Sequence, residues 1–339
     1  PRQLPLASLF AALARVTTAG SAPPLPPTVA RLAREVFERL PDAATVATAP
    51  GLRQALRDSG LFLETKLARP PLPTESPRAA PHNADTARDL KANLLRLIGA
   101  LRDNAATSAP ATRPTVPAAG ASATPASAAA AAAASANAAA ATRTPPPLSS
   151  LDPAAPLQRG QPPLPPLTVA RVLQDQELAP TVRELQRQAE GALARVQLNQ
   201  LSSLPQERQP GMEWLIELPV RREQDADVWN LRILRHAGHD GGRDGECAQG
   251  EDGSWSVMLA FDLPGIGPIQ TRVNLRSDTI TAQFFSRTTG TLALVQEHLP
   301  LLEARLRQAG LRIDELSCHH GQIQTAAAPQ RTRLLDERA

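Results

Sequence analysis

Histidines and cysteines near the C-terminal end are the residues whose types could do chemistry, because imidazole and thiolate groups are common zinc ligands. The candidate set is His236, His239, Cys247, Cys318, His319 and His320. Its members between positions 236 and 247 lie in a Gly/Asp-rich stretch that predicts a loop. Adjacent residues such as His319 and His320 would point to opposite faces of a strand. We therefore predict a polar loop and a strand end, and no metal site.

Other reactive residues do not form a catalytic motif. The sequence has no Gly-rich phosphate loop and no nucleophile elbow. The clustered aspartates fall in predicted loops, where solvated charge is the ordinary interpretation: Asp225, Asp227, Asp240, Asp244 and Asp252. We predict that the chain is not an enzyme, with no catalytic residues, no cofactor-binding residues and no cofactor.

Charge and cysteine usage restrict the partners and the compartment. The net charge is +3, from 36 basic and 33 acidic residues with interspersed signs, and no basic block indicates nucleic-acid binding. Two cysteines cannot build a disulfide framework and fit a reducing cytoplasm. No run approaches the roughly 18 apolar residues of a membrane span, so we expect no membrane insertion.

The first 210 residues are poor in the side chains that build a core. The whole chain has 34 prolines, 3% aromatic residues and no tyrosine, and such segments bury too little surface to offset an ordering entropy of roughly 1–2 kcal/mol per residue. We predict a mostly disordered region with short amphipathic helices over residues 1–103, an Ala/Pro-rich linker over 104–166 and a helical segment over 167–210. The helices could pair with one another or dock on a partner.

A short repeat occurs within this region. PPLPPTVARL at residues 23–32 returns as PPLPPLTVARV at residues 162–172. Both copies are typical of a polyproline II segment that leads into a helix. The alternative is a duplicated docking motif for a Pro-binding groove.

After Pro210 the pattern changes to strict alternation, which predicts strands. Residues 255–261 and 269–276 form two period-2 runs joined by a Gly/Pro turn, which indicates an antiparallel hairpin with one solvated face. Further strands are predicted at 214–218, 228–234, 280–284 and 311–316. An apolar stripe from Leu292 to Ala309 predicts a helix pair, kinked at Pro300 or beginning its second half there, and ended at Gly310.

These elements predict an α+β domain over residues 211–323, in which a mixed or antiparallel sheet is covered by one or two helices. We expect a disordered tail over residues 324–339.

Three segments of this domain resemble the C-terminal domain of flagellar hook-length control proteins. They are WLIELPVR at residues 214–221, SWSVMLAFDLPGIGPIQTRVNL at 254–275 and LVQEHLPLLEARLRQAGLRI at 294–313. The shared pattern is a strand ending in Leu-Pro, a small turn with Gly, a second amphipathic strand and a Leu-rich helix closing in Gly-Leu.

The resemblance implies a substrate of the flagellar type III export apparatus, made in the cytoplasm and exported through the flagellar channel. Its N-terminal part would report hook length, and its C-terminal domain would act on the export-gate switch protein to change the exported class from hook to filament subunits. The implied partners are that switch protein and the hook and hook-cap subunits, with the chain as a monomer. About 200 extended residues before the domain could reach roughly 650–700 Å, which suits a ruler.

We predict the partner contact at the hairpin turn, formed by Leu263, Pro264, Gly265, Ile266 and Gly267, with Arg272 and Arg276 beside it. The alternative is a turn that serves only hairpin geometry. For the whole chain, a needle-length regulator, a non-flagellar paralogue of a type III system and a structural adaptor with Pro-rich docking arms stay open.

Overall fold

The structure is a computed structural model, and it describes residues 3–18, 25–68, 86–108, 154–166, 168–169, 172, 181–205, 211–223, 225–236 and 253–323. Most of the predicted linker (109–153), the predicted loop at 237–252 and the predicted tail at 324–339 lie outside the described residues.

Within the described residues, six strands form one mixed sheet whose spatial order follows the chain. The strands are β1 Met212–Arg222, β2 Asp225–Arg235, β3 Trp255–Leu263, β4 Gly267–Arg276, β5 Thr279–Ser286 and β6 Arg312–His320. Neighbours are antiparallel except β5 and β6, which are parallel. The sequence prediction of an α+β domain with a mixed sheet is confirmed.

Seven helices precede the sheet in the described part of the chain. They are α1 Leu6–Thr18, α2 Pro27–Glu38, α3 Ala43–Val46, α4 Ala49–Arg57, α5 Leu63–Ala68, α6 Leu90–Ser108 and α7 Val182–Ser202. Four of them, α1, α2, α6 and α7, share one apolar core that includes the fully buried Phe10, Leu97 and Leu185; we call these four the helical layer. The stripes on these helices therefore face one another, which answers the question that their sequences left open. No helix among the described residues has the length and apolarity to cross a bilayer.

One further helix, α8 Thr289–Gln308, connects β5 to β6, since parallel neighbours need a crossover connection. It runs through Pro300 as a single element, so the predicted division into a helix pair is wrong. Its end is as predicted: Gly310 has a φ of 83°, and Leu311 N–H donates to Leu306 O at 3.1 Å, which satisfies a carbonyl of the last turn.

Strand alternation gives the sheet two faces. The apolar face carries residues such as Ile216 and Leu231, and it is covered by α3 and α4 at the β1–β2 end and by α8 at the β5–β6 end. The other face is contacted by the helical layer and by residues 154–166, which we call the strap. We call it the strap face. Gln270 lies on it and is 2% exposed, so the prediction of one solvated face is wrong at this residue.

Candidate functional site

The hairpin turn joins β3 to β4, with Leu263 paired to Gly267. Gly265 and Gly267 have φ values of 82° and 94°, a left-handed conformation that glycine adopts without steric cost. Ile266 N–H donates to Leu263 O at 3.0 Å. Pro264 and Gly265 are exposed at the tip, so the turn is a fixed, protruding element.

An apolar groove lies between this turn and α8. Thr291 Oγ donates to the carbonyl of Ile266, which ties the first turn of α8 to the hairpin. The groove has a volume of about 350 Å³ and is lined by Ile266, Ile269, Phe284, Leu294, Val295, His298, Leu299 and Leu302. Leu294 is 39% exposed. A concave apolar surface of this kind can bury an apolar side chain of a partner.

The two arginines predicted beside the turn lie elsewhere. Arg272 pairs with Met258 and Gln283 on the strap face, opposite to the groove. Arg276 is exposed at the other end of β4, where it pairs with Thr279. The structure therefore brings together the five turn residues and places neither arginine with them.

The strap face holds a buried ion pair that connects three elements. Arg195 Nε of α7 lies 3.0 Å from each carboxylate oxygen of Glu217 on β1, and Arg195 Nη2 donates to Oε1 at 2.7 Å. The remaining guanidinium donors bind the strap carbonyls of Ala154 at 2.7 Å and Ala155 at 2.6 Å. Both side chains are 3% exposed. A charge pair at this depth is stable only with such extra hydrogen bonds.

A second buried carboxylate, Glu213, lies four residues before Glu217 on β1 and on the same face of the sheet. Arg232 Nε binds it at 2.5 Å, and the strap N–H of Gly160 donates to it at 3.1 Å. Arg159 Nε of the strap lies 3.2 Å from Glu213 Oε2 but is not aligned for a hydrogen bond. Sequence reasoning missed this cluster, although two glutamates four residues apart in a strand share a face.

The second copy of the Pro-rich repeat docks on the chain's own sheet. Pro163 O accepts from Gln270 Nε2 at 2.7 Å, and Leu164 O accepts from Asn230 Nδ2 at 2.8 Å. The first copy leads directly into α2, with Pro26 at φ −51° and ψ 137° before the helix begins at Pro27. Pro26 is thus extended directly before the helix, while residues 23–24 of that copy lie outside the described residues. The strap makes its contacts within the molecule.

The metal candidates are not brought together in the described part of the chain, where no group of three or more His, Cys, Asp or Glu residues is placed to hold a metal. His239 and Cys247 lie outside the described residues. His319 stacks on Phe285 at 5.1 Å, whereas His320 Nε2 lies 3.0 Å from Arg287 O. Burial raises the pKa of the Cys318 thiol.

Asp227 does not lie in a solvated loop, so the prediction made for Asp225 and Asp227 is wrong. Both residues belong to β2, and Asp227 is 5% exposed. Burial raises the pKa of its carboxyl, and Arg222, with Nε 3.7 Å from Oδ2, opposes that shift only in part. The carboxylate is therefore held in an environment that disfavours its charge.

Residues 244–327 match the model of a protein family described as Flagellar hook-length control protein FliK. The matched range contains β3 to β6, α8, the hairpin turn and the groove. No curated protein and no solved structure matches the chain. The C-terminal part of this chain thus carries the domain of the flagellar hook-length control family.

Proposed function

We propose that the chain is a hook-length control protein of the flagellar type III export apparatus. It is exported while the hook grows, and its C-terminal domain then switches the exported class from hook to filament subunits. The observation that carries the proposal is the family match over residues 244–327, which falls on a compact set of four strands and one helix.

We assign the contact with the export-gate switch protein to the hairpin turn and the adjoining groove. The turn protrudes in a conformation fixed by Gly265 and Gly267, and the groove has seven apolar residues and one polar residue, His298, in its lining. Arg272 and Arg276 lie on another face and at another end of β4, so one partner surface would not cover them with the turn.

The Ala/Pro-rich sequence between α6 and the strap supports the ruler part of the proposal. It contains few side chains that could collapse, and extended chain spans about 3.3–3.6 Å per residue. Its length would then set how far the exported N-terminal part travels before the C-terminal domain acts.

Deletion of the gene, followed by electron microscopy of isolated flagellar bases, tests this function. We expect abnormally long hooks without filaments, and restoration of normal hooks by the full chain supplied in trans. Hooks of normal length with filaments in the deletion strain would overturn the proposal and favour a role outside the flagellum.

A further inference from the structure

The helical layer meets the sheet across an interface rich in charged and polar groups. Arg195 of α7 binds Glu217, and the strap contributes Arg159 and Gly160 against Glu213. Among the described residues of the sheet, Ala226 and Val228 of β2 are the two that belong to the apolar core of the helical layer. The six strands, in contrast, are joined to one another by backbone hydrogen bonds across the whole sheet, with one register shift at Ile280/Thr281 between β5 and β6. The strands of the sheet are therefore held to one another more firmly than the sheet is held to the helical layer.

Several buried polar atoms at this interface have no hydrogen-bond partner among the described residues: Arg159 Nε, Gln188 Oε1, Asn199 Oδ1 and Asn230 Oδ1. Gln188 and Asn199 lie seven and four residues from Arg195, on the same side of α7. Buried polar atoms without partners raise the free energy of the closed state, and they regain partners in water. The interface is thus easier to open than an apolar contact of the same extent.

We propose that this interface is a latch. The helical layer and the strap cover the strap face in the closed chain and separate from it together, while β3 to β6 and α8 stay folded. The latch reaches the family-matched residues themselves, because the strap carbonyl of Pro163 binds Gln270 on β4. The occupant of the strap face is accordingly the chain's own N-terminal half.

The consequence for switching rests on the proposed function. Export would draw the helical layer away from the sheet, since the N-terminal helices leave before the C-terminal domain. Opening the latch would then uncover the strap face, and the C-terminal domain would become available to its partner only after the helices have passed. The latch would delay the switch.

Hydrogen–deuterium exchange on the purified full chain tests the latch. Arg195→Met removes the guanidinium and leaves Glu217 buried without its cationic partner, with the Asn199 Nδ2 bond at 3.3 Å remaining. We therefore expect amides of α1 and α7 to exchange at least about tenfold faster. Amides of β4, β5 and β6 should keep their protection. The matched control is Arg187→Met on the same helix, because Arg187 is 65% exposed and its ion pair among the described residues is with Glu184, three residues away. It should leave both sets of amides unchanged.

A second, milder variant distinguishes opening of the interface from unfolding of the whole chain. Asn230→Ala removes the 2.8 Å bond to the strap carbonyl of Leu164 together with the unpartnered Oδ1, so it should speed exchange in the helical layer by a smaller factor. If α7 and β4 lose protection to the same degree in both variants, the helices and the sheet unfold together and the latch is disproved.

Complementation of the deletion strain tests the delay separately. The Arg195→Met chain should give shorter hooks than the wild-type chain, and the Arg187→Met chain should give wild-type hooks. Faster helical exchange with unchanged hook length would confirm the latch and overturn its role in timing. A deletion strain with normal hooks would overturn the proposed function, while the exchange result would still decide the latch.

Discussion

At the scale of single residues, the most consequential feature is the burial of Arg195 and Glu217 at 3% exposure each. Removing one member of such a pair leaves an uncompensated buried charge and costs about 3–5 kcal/mol. Replacing both members with apolar residues of similar size is commonly close to neutral. The pair therefore fixes which surfaces meet more than it adds to stability.

A double-mutant cycle checks this interpretation. We expect Arg195→Met and Glu217→Leu each to lower the free energy of unfolding by about 3 kcal/mol or more, and the double variant to recover at least half of the summed loss. Urea denaturation followed by far-UV circular dichroism, which reports the helices of the helical layer, provides the measurement. Additive losses would contradict direct coupling of the two side chains.

Asp227 allows a prediction about pH. Its pKa is raised in the folded chain by burial, so the group favours folding below the ordinary value of 3.8, and that contribution is lost as the pH rises through the folded-state pKa. Asp227→Asn keeps the side-chain size without the charge. We expect this variant to be more stable than the wild-type chain at pH 7, with an advantage that shrinks as the pH falls towards 4.

Thermal denaturation at several pH values provides the test, with Asp314→Asn as the control because Asp314 is exposed on β6. An Asp227→Asn advantage that does not depend on pH would show that shape or hydrogen bonding, and not charge, is responsible.

The residues of the strap face could not be predicted from local pattern. Glu217 alternates with apolar neighbours, as a solvated residue does, and its partner Arg195 is 22 positions away in a helix. The burial of Asp227 was not predictable either, because a charged residue near a strand end is exposed in most sheets. The hairpin turn was predictable, since its two glycines and the alternation on either side are local signals.

At the scale of elements, close approach to α7 of the residues that lead into α1 depends on Gly191. A Cβ atom built there would lie 2.7 Å from Leu4 Cγ and 2.8 Å from Leu4 Cβ, and Leu4 N–H donates to Gly191 O at 3.2 Å. Helix propensity alone predicts that Gly→Ala in a helix interior stabilises by about 1 kcal/mol. Packing should reverse that sign at this position.

We therefore expect Gly191→Ala to lower the melting temperature and to loosen α1. Gly99→Ala in α6 is the matched control, because no atom lies within 4 Å of the added Cβ, and it should raise stability by up to about 1 kcal/mol. Equal stabilisation by both substitutions would mean that α1 does not press on α7.

The hairpin and α8 together determine the proposed partner contact. Ile266→Asp places a charge in the groove without changing the glycines that shape the turn, so export switching should fail while the fold stays intact. Leu301→Asp is the control, because Leu301 is 52% exposed on α8 and outside the groove lining. Normal switching with normal stability in Ile266→Asp would remove this residue as a contact.

Helices and strands were predicted correctly where their local sequence period determines them. Features that depend on a packing neighbour were not predicted. All six strands were predicted, and alternation identifies β3, β4 and β5. The helices α4 and α5 are separated at Ser59-Gly60, where Gly60 has a φ of 90°. Leu94 and Leu97 of α6 are buried in the core of the helical layer, a packing partner that the amphipathic pattern alone did not identify. Pro300 predicted a break because its missing N–H weakens a helix, yet it is exposed and the helix continues on both sides.

At the scale of the whole molecule, the folded body is larger than the sequence indicated. The predicted boundary at residue 211 lies between elements that pack on each other, since α7 contacts β1 and α1 contacts β2. A reach of roughly 650–700 Å needs those helices to be separated and extended, because helix spans only about 1.5 Å per residue. Under the proposed function the ruler and the latch are thus connected, because the chain would measure length only after the helical layer has left the sheet.

This connection gives a prediction about inserted sequence. Adding about 30 residues of the same Ala/Ser/Pro composition within 109–150 adds roughly 100 Å of extended chain. Hooks should lengthen by up to that amount, as electron micrographs of isolated hooks would show. If the latch stayed closed during measurement, the insertion would only lengthen the chain between two fixed points, because α6 packs on α7 and Ala154 binds Arg195 of α7. Hook length would then stay unchanged.

The same insertion placed within residues 237–252, between β2 and β3, is the control. It lengthens the chain equally but adds nothing between the helical layer and the strap, so the distance available to a ruler ahead of the sheet is unaltered. We expect hooks of wild-type length from this variant. Equal lengthening by both insertions would mean that total chain length sets the hook, and neither the opened helical layer nor the segment before the strap would be the measuring part.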